Sequence, residues 1–467
     1  MFMAENQEFF INDKAAELAA EMSTLISEKR YAEFRSASDN FVAVDLAIIY
    51  EECSPDIRPL FYRLLSKEKA SECFVELSSE LQRTLVESFT DSELSELLSE
   101  LYIDDTVDVI EEMPAAMVKR ILRASDKADR DRINRILKYP KESAGAIMTT
   151  EYMRLKADMT VKESLRHIRQ VALDKETVYT CYITDEKRHL IGVVSAKTLL
   201  ISDLDIPVSE IMQETVVFAE TTDDREYVAE KLSRYGLMAL PVVDNERRLV
   251  GIVTADDAME VLREEREEDF AKMAAVTPSE TPYVKTSPLS LFKARIPWLL
   301  ILMVSATLSS TILNRFEAFL PTVLVLFVPM LMDTGGNSGS QVSVTVIRSI
   351  SLGELGRGKL LPIILKELLV GLMCGITLGA VAFGKVMLVD RLIMQNPEVT
   401  MSVAIAVAFS IAATVIIAKV TGCLLPVAAK KIGLDPAVMA SPLITTLVDA
   451  LALVVYFLIS AFFVGFA

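Results

Sequence analysis

The chain changes its hydrophobic pattern once, near residue 290. Beyond that point apolar runs of membrane length dominate, whereas before it apolar and polar positions alternate on short helical and strand periods. Segments near 296–314, 320–347, 363–389, 399–420 and 437–465 each suffice to cross a hydrocarbon layer about 30 Å thick, which takes about 20 helical residues. Five spans put the two ends on opposite sides of a bilayer. The second segment is interrupted by PMLMDTGGNSGSQ, which sets Gly335, Gly336, Asn337, Gly339, Ser340 and Gln341 into an otherwise apolar run. Read as a break in the helix, it frees carbonyls that must line a watery cavity or lie buried. Read as a packing surface, its small residues let helices approach closely. Both readings stand at this stage.

The front of the chain divides into three patterns. Residues 15–138 carry leucines at helical spacing in short units, such as SSELQRTLVESF and DSELSELLSELYIDD, which predicts a helical superhelix with a blurred repeat length. Residues 150–265 hold an internal repeat in which HLIGVVSAKTLL matches RLVGIVTADDAM. A β-rich run precedes each, and Ile147-Met148 and Ile211-Met212 open the two copies. Strand, helix, two strands and helix are expected twice over. The segment TADDAMEVLREEREEDFAKMAAV then predicts one further helix that buries Met259, Leu262, Phe270 and Met273. On it Glu260, Glu264 and Glu268 follow at i,i+4, where each like-charge pair costs about 0.2–0.5 kcal/mol. A divalent cation removes that repulsion, and a solvated face tolerates it.

Charge sharpens the division. Of 65 acidic and 48 basic residues, 8 and 12 fall from Leu291 onward, so the front part carries −21 and the rear +4. An acidic front of that size concentrates cations and disfavours nucleic acid as a partner. Five scattered cysteines and two histidines exclude the usual zinc or iron centres and fit a reducing compartment. No signal-peptide pattern is evident at the N-terminus. Arg348, Arg357 and Lys359 between the second and third spans, with Lys366 close behind and Lys430 and Lys431 between the fourth and fifth, predict a front half that faces the cytosol, and the expected setting is the plasma membrane.

The fifth span holds one charge, Asp449, and no basic residue was expected deep in any span. A carboxylate at that depth costs about 2.5–3.5 kcal/mol and needs a partner or an aqueous path. A permeant cation is one partner, and magnesium, which keeps its waters, suits one or two carboxylates. A protonated Asp449 bonded to a neighbouring helix, or a proton relay, is the other reading. Nothing in the sequence points to an enzyme.

Two resemblances add to this reading. The repeat at 150–265 resembles a tandem of CBS domains, regulatory modules that often bind adenosine nucleotides. Their Ser/Thr-x-x-Asp ligand motif is kept as Thr254 and Asp257 in the second copy, while the first copy has Ser195 and Thr198. The whole chain resembles the MgtE family of magnesium channels, on GGNSGSQ, PLITTLVD, GLDPAVMASP and YPKESAGAIM. That resemblance implies a homodimer with a helical superhelix at 1–138, CBS domains at 139–205 and 206–255, a plug helix at 256–276, a linker at 277–295 and a five-helix all-α transmembrane domain at 296–467. It implies that Asp449 holds hydrated magnesium, with the backbone around Gly336 and Asn337 flanking the path. It places regulatory magnesium on Glu226, Asp257, Glu260, Glu265, Glu268 and Asp269, with Asp435 from the membrane side and Glu72, Asp104 and Asp108 in the helical domain. ATP is a further expected ligand of the CBS pair. Gly236 stands where related sequences can carry an acid, and Ser441 where some carry an amide. The expected activity is magnesium uptake closed by internal magnesium, the alternative a proton- or sodium-coupled exporter.

Overall fold

The computed structural model describes residues 11–278, 283, 286–317, 321–351, 354–355, 360–439 and 441–464. It divides into two compact units, Met1–Leu262 and Arg263–Ala467.

The first unit begins with short helices running from α1 (Ile11–Ser27) to α10 (Lys127–Ile136). The repeat that the sequence left blurred is twelve residues long. From Ser66 onward, the residues that cap successive helices are Ser66, Ser78, Thr90, Tyr102, Pro114 and Asp126. Thr90 closes a capping box with Glu93, and Ser66 and Asp126 accept bonds from the first turn of their helices. One residue before each cap through Pro114 lies a buried apolar side chain: Leu65, Leu77, Phe89, Leu101 and Met113. A second series, Phe61, Cys73, Leu85, Leu97, Val109, Ile121 and Ile133, fills the same core at the same interval. Each ten-residue helix is marginal by itself, and stacking supplies the apolar cover that a lone helix lacks.

The repeat at 150–265 folds as two three-stranded sheets. In the first, β1 (Tyr152–Lys156) pairs parallel with β2 (Thr177–Thr184), which pairs antiparallel with β3 (Leu190–Ser195). Helices α11 (Val161–Val171) and α12 (Ala196–Ile201) complete that copy. In the second, β4 (Ala219–Glu220), β5 (Ala239–Val243) and β6 (Leu249–Thr254) repeat the topology, with α13 (Arg225–Tyr235) between β4 and β5. The two copies exchange their opening segments. Thr149, beside Met148, pairs with Ile252 of the second copy, and Gln213, beside Met212, pairs with Val193 of the first. A Cβ on Gly251 or Gly192 would collide with Met148 or Met212, so those glycines admit the exchanged methionines.

Helix α14 (Ala255–Met273) leaves β6 directly. Its buried residues are Ala258 and Val261, and Leu262 packs against the second copy's core. The expected burial of Met259 and Phe270 does not occur: both side chains are exposed. The small residues one turn apart, not the large ones, fit against the sheet.

The second unit contains α15 (Pro288–Glu317), α16 (Thr322–Val325), α17 (Val328–Ser351), α18 (Leu360–Lys385), α19 (Met401–Lys431) and α20 (Ser441–Val464). Among the described residues, four helices, within 288–316, 360–393, 401–431 and 442–464, are long and apolar enough to cross a membrane. Polar residues in α17 keep it out of that set, although its 24 residues match the others in length. The expected break in the second span is not at the glycines, because α17 is helical throughout PMLMDTGGNSGSQ. The chain instead interrupts at Leu326–Phe327, before α17 begins. The glycines are packing positions. A Cβ on Gly335 would meet Thr414 and Val448, one on Gly336 would meet Thr445, and one on Gly339 would meet Ile444. Neighbouring helices therefore hold α17 straight where composition suggested a gap.

Candidate functional site

The strongest concentration of chemistry in the first unit lies where α8 (Ile103–Glu112) meets the CBS pair. The amide of Ile103, the first residue of α8, donates to Glu151 just before β1 (3.1 Å). That bond sets the acidic first turn of α8 against the repeat. The twelve-residue register measures the effect. The positions equivalent to Asp104 in neighbouring helices, Glu68, Glu80, Ser92, Ala116 and Ala128, are all exposed, whereas Asp104 is buried.

Carboxyls crowd this junction. Burial pushes Asp104 well above the ordinary carboxylate range, and repulsion from Asp105, Asp257, Glu176 and Glu151 adds to it. Asp105 is pushed up to about 7, by burial and then by Asp257, Asp256 and Glu151. Glu176 reaches about 8, by burial and then by Asp105, Asp257 and Asp256. Asp108 presents area to solvent at the rim, yet surrounding protein and repulsion from Asp105, Asp257 and Glu260 raise it to about 7. Asp104 Oδ1 and Glu176 Oε2 are buried and have no hydrogen-bond partner among the described residues. Arg132 reaches Glu151 at 3.8 Å, and Arg132 and Lys175 oppose the rise of Glu151 at the edge of the group. Such a set is neutralised by protons or by an external cation.

Of the helical-domain residues expected here, Asp104 and Asp108 are present, and Glu72 is not among the charges that chiefly act on them. Glu72 lies exposed on α5 (Lys67–Val75), at the register position of Asp108 three repeats earlier. Asp105, Glu151 and Glu176 are the members that sequence reasoning missed. Glu226 lies in the first turn of α13 and Glu260 on the exposed side of α14.

In the second copy's ligand motif Thr254 Oγ1 donates to Asp257 Oδ2 (2.5 Å) at the start of α14. In the first copy Thr198 stands at the acid's position, and its hydroxyl bonds Ser195 Oγ (2.8 Å). Gly236 has its own explanation. It ends α13 with φ +61° in the left-handed region, where an acidic side chain would be strained.

The second unit holds a different acidic group. Lys272 Nζ bridges Glu268 (2.5 Å) and Asp435 (2.7 Å). Asp435 also caps the turn after it, accepting from the amide of Ala437 (2.8 Å). Burial and then Asp435 raise Asp269, Lys272 opposes the rise, and Ser351 Oγ donates to Asp269 Oδ2 at 3.5 Å. Lys272 was missed in the sequence although the i,i+4 pairing with Glu268 was there to see.

Within the helix bundle, Asp449 on α20 is half-buried and its Oδ1 has no partner among the described residues. Asp333 on α17, also missed, lies near enough to act on it electrostatically. Asn337 is one helical turn beyond Asp333 on α17, and both are exposed. Because α17 is continuous, the carbonyls around Gly336 and Asn337 serve helical bonds, and the polar side chains are what this stretch offers. One expectation is corrected. Lys419 lies inside α19 and is buried, about 18 Å from that helix's C-terminal end. The helix runs eleven residues past the span's expected end, which puts a base inside the bundle. Among the described residues no three carboxylate, thiol or imidazole groups converge to cage a bare ion.

Helical repeats, an exchanged CBS pair and a bundle of apolar helices with carboxyls inside it define a multi-pass membrane protein with an acidic regulatory half. Comparison with known proteins agrees part by part. Residues 41–142 match the MgtE intracellular N domain, 144–204 and 208–264 match CBS domains, and 328–459 match a divalent cation transporter domain. A magnesium transporter MgtE of Thermus thermophilus is 34% identical over 94% of this chain and 97% of its own length. A Bacillus subtilis magnesium transporter MgtE is 28% identical over 96% and 98%. Two solved structures match the front half. One is the cytosolic domain of the Mg2+ channel MgtE in complex with ATP, with TM-score 0.50 and 35% identity over 52% of this chain and 99% of that one. The other is the soluble part of a magnesium transporter, with TM-score 0.51 and 28% identity over 54% and 99%. The chain belongs to the MgtE family of magnesium transporters, which are not enzymes.

Proposed function

We propose that this chain is a homodimeric magnesium channel of the plasma membrane, with its acidic half in the cytosol, and that cytosolic magnesium closes it. The carboxyls around α8 carry this reading, because buried acids pressed together, with Arg132 and Lys175 acting on Glu151 at their edge, store repulsion that a divalent cation relieves. The donors are hard oxygens, and Asp104 Oδ1 and Glu176 Oε2 offer unused acceptor capacity. Hydrated magnesium needs only one or two direct carboxylates and leaves the remainder to its own waters, so a loose ring of acids fits it better than a tight cage. Asp104, Asp105, Asp108, Glu176 and Asp257 would hold the ion at α8. Glu265, Glu268, Asp269 and Asp435 would hold a second toward the membrane side, and Glu226 and Glu260 lie on the elements between which further ions would bind.

Each cation bound only by the closed form favours it by about 2.7 kcal/mol at a hundredfold excess over Kd. Several weak sites together give a steep response. In the pore, Asp449 keeps a charge for the passing ion, with Asp333 and Asn337 beside the same path, and inward flux follows the membrane potential. The basic residues Arg348, Lys366, Lys430 and Lys431 support a cytosolic front half; Arg357 and Lys359 lie outside the described residues. The nucleotide reading rests on Thr254 and Asp257.

Purified protein in liposomes tests the pore. Magnesium influx should fall at least about tenfold in Asp449→Ala, and normal conduction by that variant would refute the assignment. The unpartnered Asp449 oxygen beside Asp333 favours a second reading, a proton- or sodium-coupled exporter. Flux that follows an imposed proton or sodium gradient would select it.

A further inference from the structure

Helix α17 carries its small residues and its polar ones on different faces. Gly335, Gly336 and Gly339 are buried against α19 and α20, whereas Asp333, Asn337, Gln341 and Thr345 follow one another at four-residue steps and are exposed. Each step is about 6 Å along the axis, so the exposed row is about 18 Å long. It opens on an acid and continues through two amides and a hydroxyl. Hydrocarbon is not what such a face meets, because an ionised carboxylate there costs about 2.5–3.5 kcal/mol before the amides are counted. The packing of α17 on α20 sets the level of the acid. Gly336 fits against Thr445 and Gly335 against Val448, and the hydroxyls of Ser340 and Thr445 stand 3.4 Å apart. Positions descend on α17 as they ascend on α20, so Asp333 falls level with Asp449, on which its charge acts. The base buried in α19, Lys419, is turned toward α18, where a Cβ on Gly371 would come within 3.5 Å of its side chain.

We propose that Asp333 is a specificity-determining residue for transport: with Asp449 it makes a two-carboxylate position that favours divalent over monovalent cations, and the amides of Asn337 and Gln341 hand the hydrated ion along α17. The proposal rests on the reading of Asp449 as the pore acid and gives the second acid a role of its own. At a given distance a carboxylate attracts a divalent ion about twice as strongly as a monovalent one. A second carboxylate at the same level therefore widens the gap between the two classes of ion. Magnesium keeps most of its waters, so acids on neighbouring helices reach it through those waters without having to converge on a bare ion. The amides further along are uncharged and hold the ion less firmly, which lets it leave.

The test uses the full chain in liposomes and compares the native protein with Asp333→Asn and Asp333→Glu, following magnesium and potassium flux. In Asp333→Asn the magnesium concentration for half-maximal influx should rise about tenfold, and the preference for magnesium over potassium should fall by a similar factor. Asp333→Glu restores the charge and should return both to within about threefold of their native values. Native values of both in Asp333→Asn overturn the proposal. So does a loss of maximal flux with both unchanged, since that marks fewer working channels and not a weaker ion position. A second measurement serves where the variants fold poorly. Asp333→Cys should react with a water-soluble cationic thiol reagent above the background of the native chain, and magnesium should slow the reaction. Reaction no faster than that background places the side chain away from water and overturns the assignment. Normal conduction by Asp449→Ala removes instead the pore reading beneath the proposal, an outcome distinct from the others.

Discussion

The chain contains two groups of acids built on opposite principles. Around α8, Asp104, Asp105, Asp108, Glu176 and Asp257 are pressed together, with Arg132 and Lys175 acting on Glu151 at their margin. At the far end of α14, Glu268 and Asp435 close on Lys272, and Asp269 is bonded to Ser351. The first group is unstable as a set of charges until something external joins it. The second brings its own cation, so an arriving metal must compete with an ammonium already in place. A sensor placed at α8 is therefore set by how much repulsion the fold has stored, and one placed at Lys272 by how easily an ion pair is exchanged.

The largest consequence concerns the stored repulsion. Replacing Asp105 and Asp108 together by asparagine should raise the magnesium midpoint for protease protection of α14 at least about tenfold, because the ion loses two of its charged partners. An unchanged midpoint would mean that the α8 group is not where magnesium is read.

Acidity should expose the same asymmetry. Asp105 and Asp108 near 7 and Glu176 near 8 keep protons that the unfolded chain releases near pH 4. The folded state thus binds more protons between about pH 4 and pH 8, so stability is full below that window and is lost as pH rises through it. In EDTA the front half should melt at least about 2–4 °C lower at pH 8.5 than at pH 5.5, a difference of about 1 kcal/mol for a region of this size. Added magnesium should recover more at pH 8.5 than at pH 5.5. Equal melting at both values would contradict the buried-acid account.

A smaller effect should convert the second group toward the first. Lys272→Met leaves Glu268 and Asp435 without their shared base, and magnesium should protect the end of α14 at a concentration about threefold lower. A raised midpoint would show that Lys272 helps closure more than it competes. Smallest of all, Glu72→Gln should move the midpoint less than about twofold, since Glu72 lies exposed on α5 apart from the α8 carboxyls.

Local signals in the sequence reached the elements and fell short of the junctions. The CBS order was legible because each copy carries its own strand pattern, and Asp449 because one charge in an apolar run needs no structure to notice. The twelve-residue repeat was obscured by its caps, since Tyr102 and Pro114 occupy positions where Ser66, Ser78, Thr90 and Asp126 would advertise it. Asp105, Glu151 and Glu176 were illegible for a different reason. Their roles come from burial against parts of the chain distant in sequence, and Asp104 looks like its exposed counterparts Glu68 and Glu80 until the CBS pair covers it. The glycines of α17 misled because composition cannot tell a broken helix from one held straight by neighbours. Lys419 was overlooked because the fourth span was ended too early, at a residue that the helix passes through.

The most direct test is magnesium flux through the reconstituted protein as magnesium is raised on the side bearing the acidic half, comparing the native chain with Asp105→Asn/Asp108→Asn. Flux in the native chain should shut off steeply while the double variant continues to conduct over the same range. Identical closure in both would contradict the assignment of the α8 carboxyls as the magnesium-reading element.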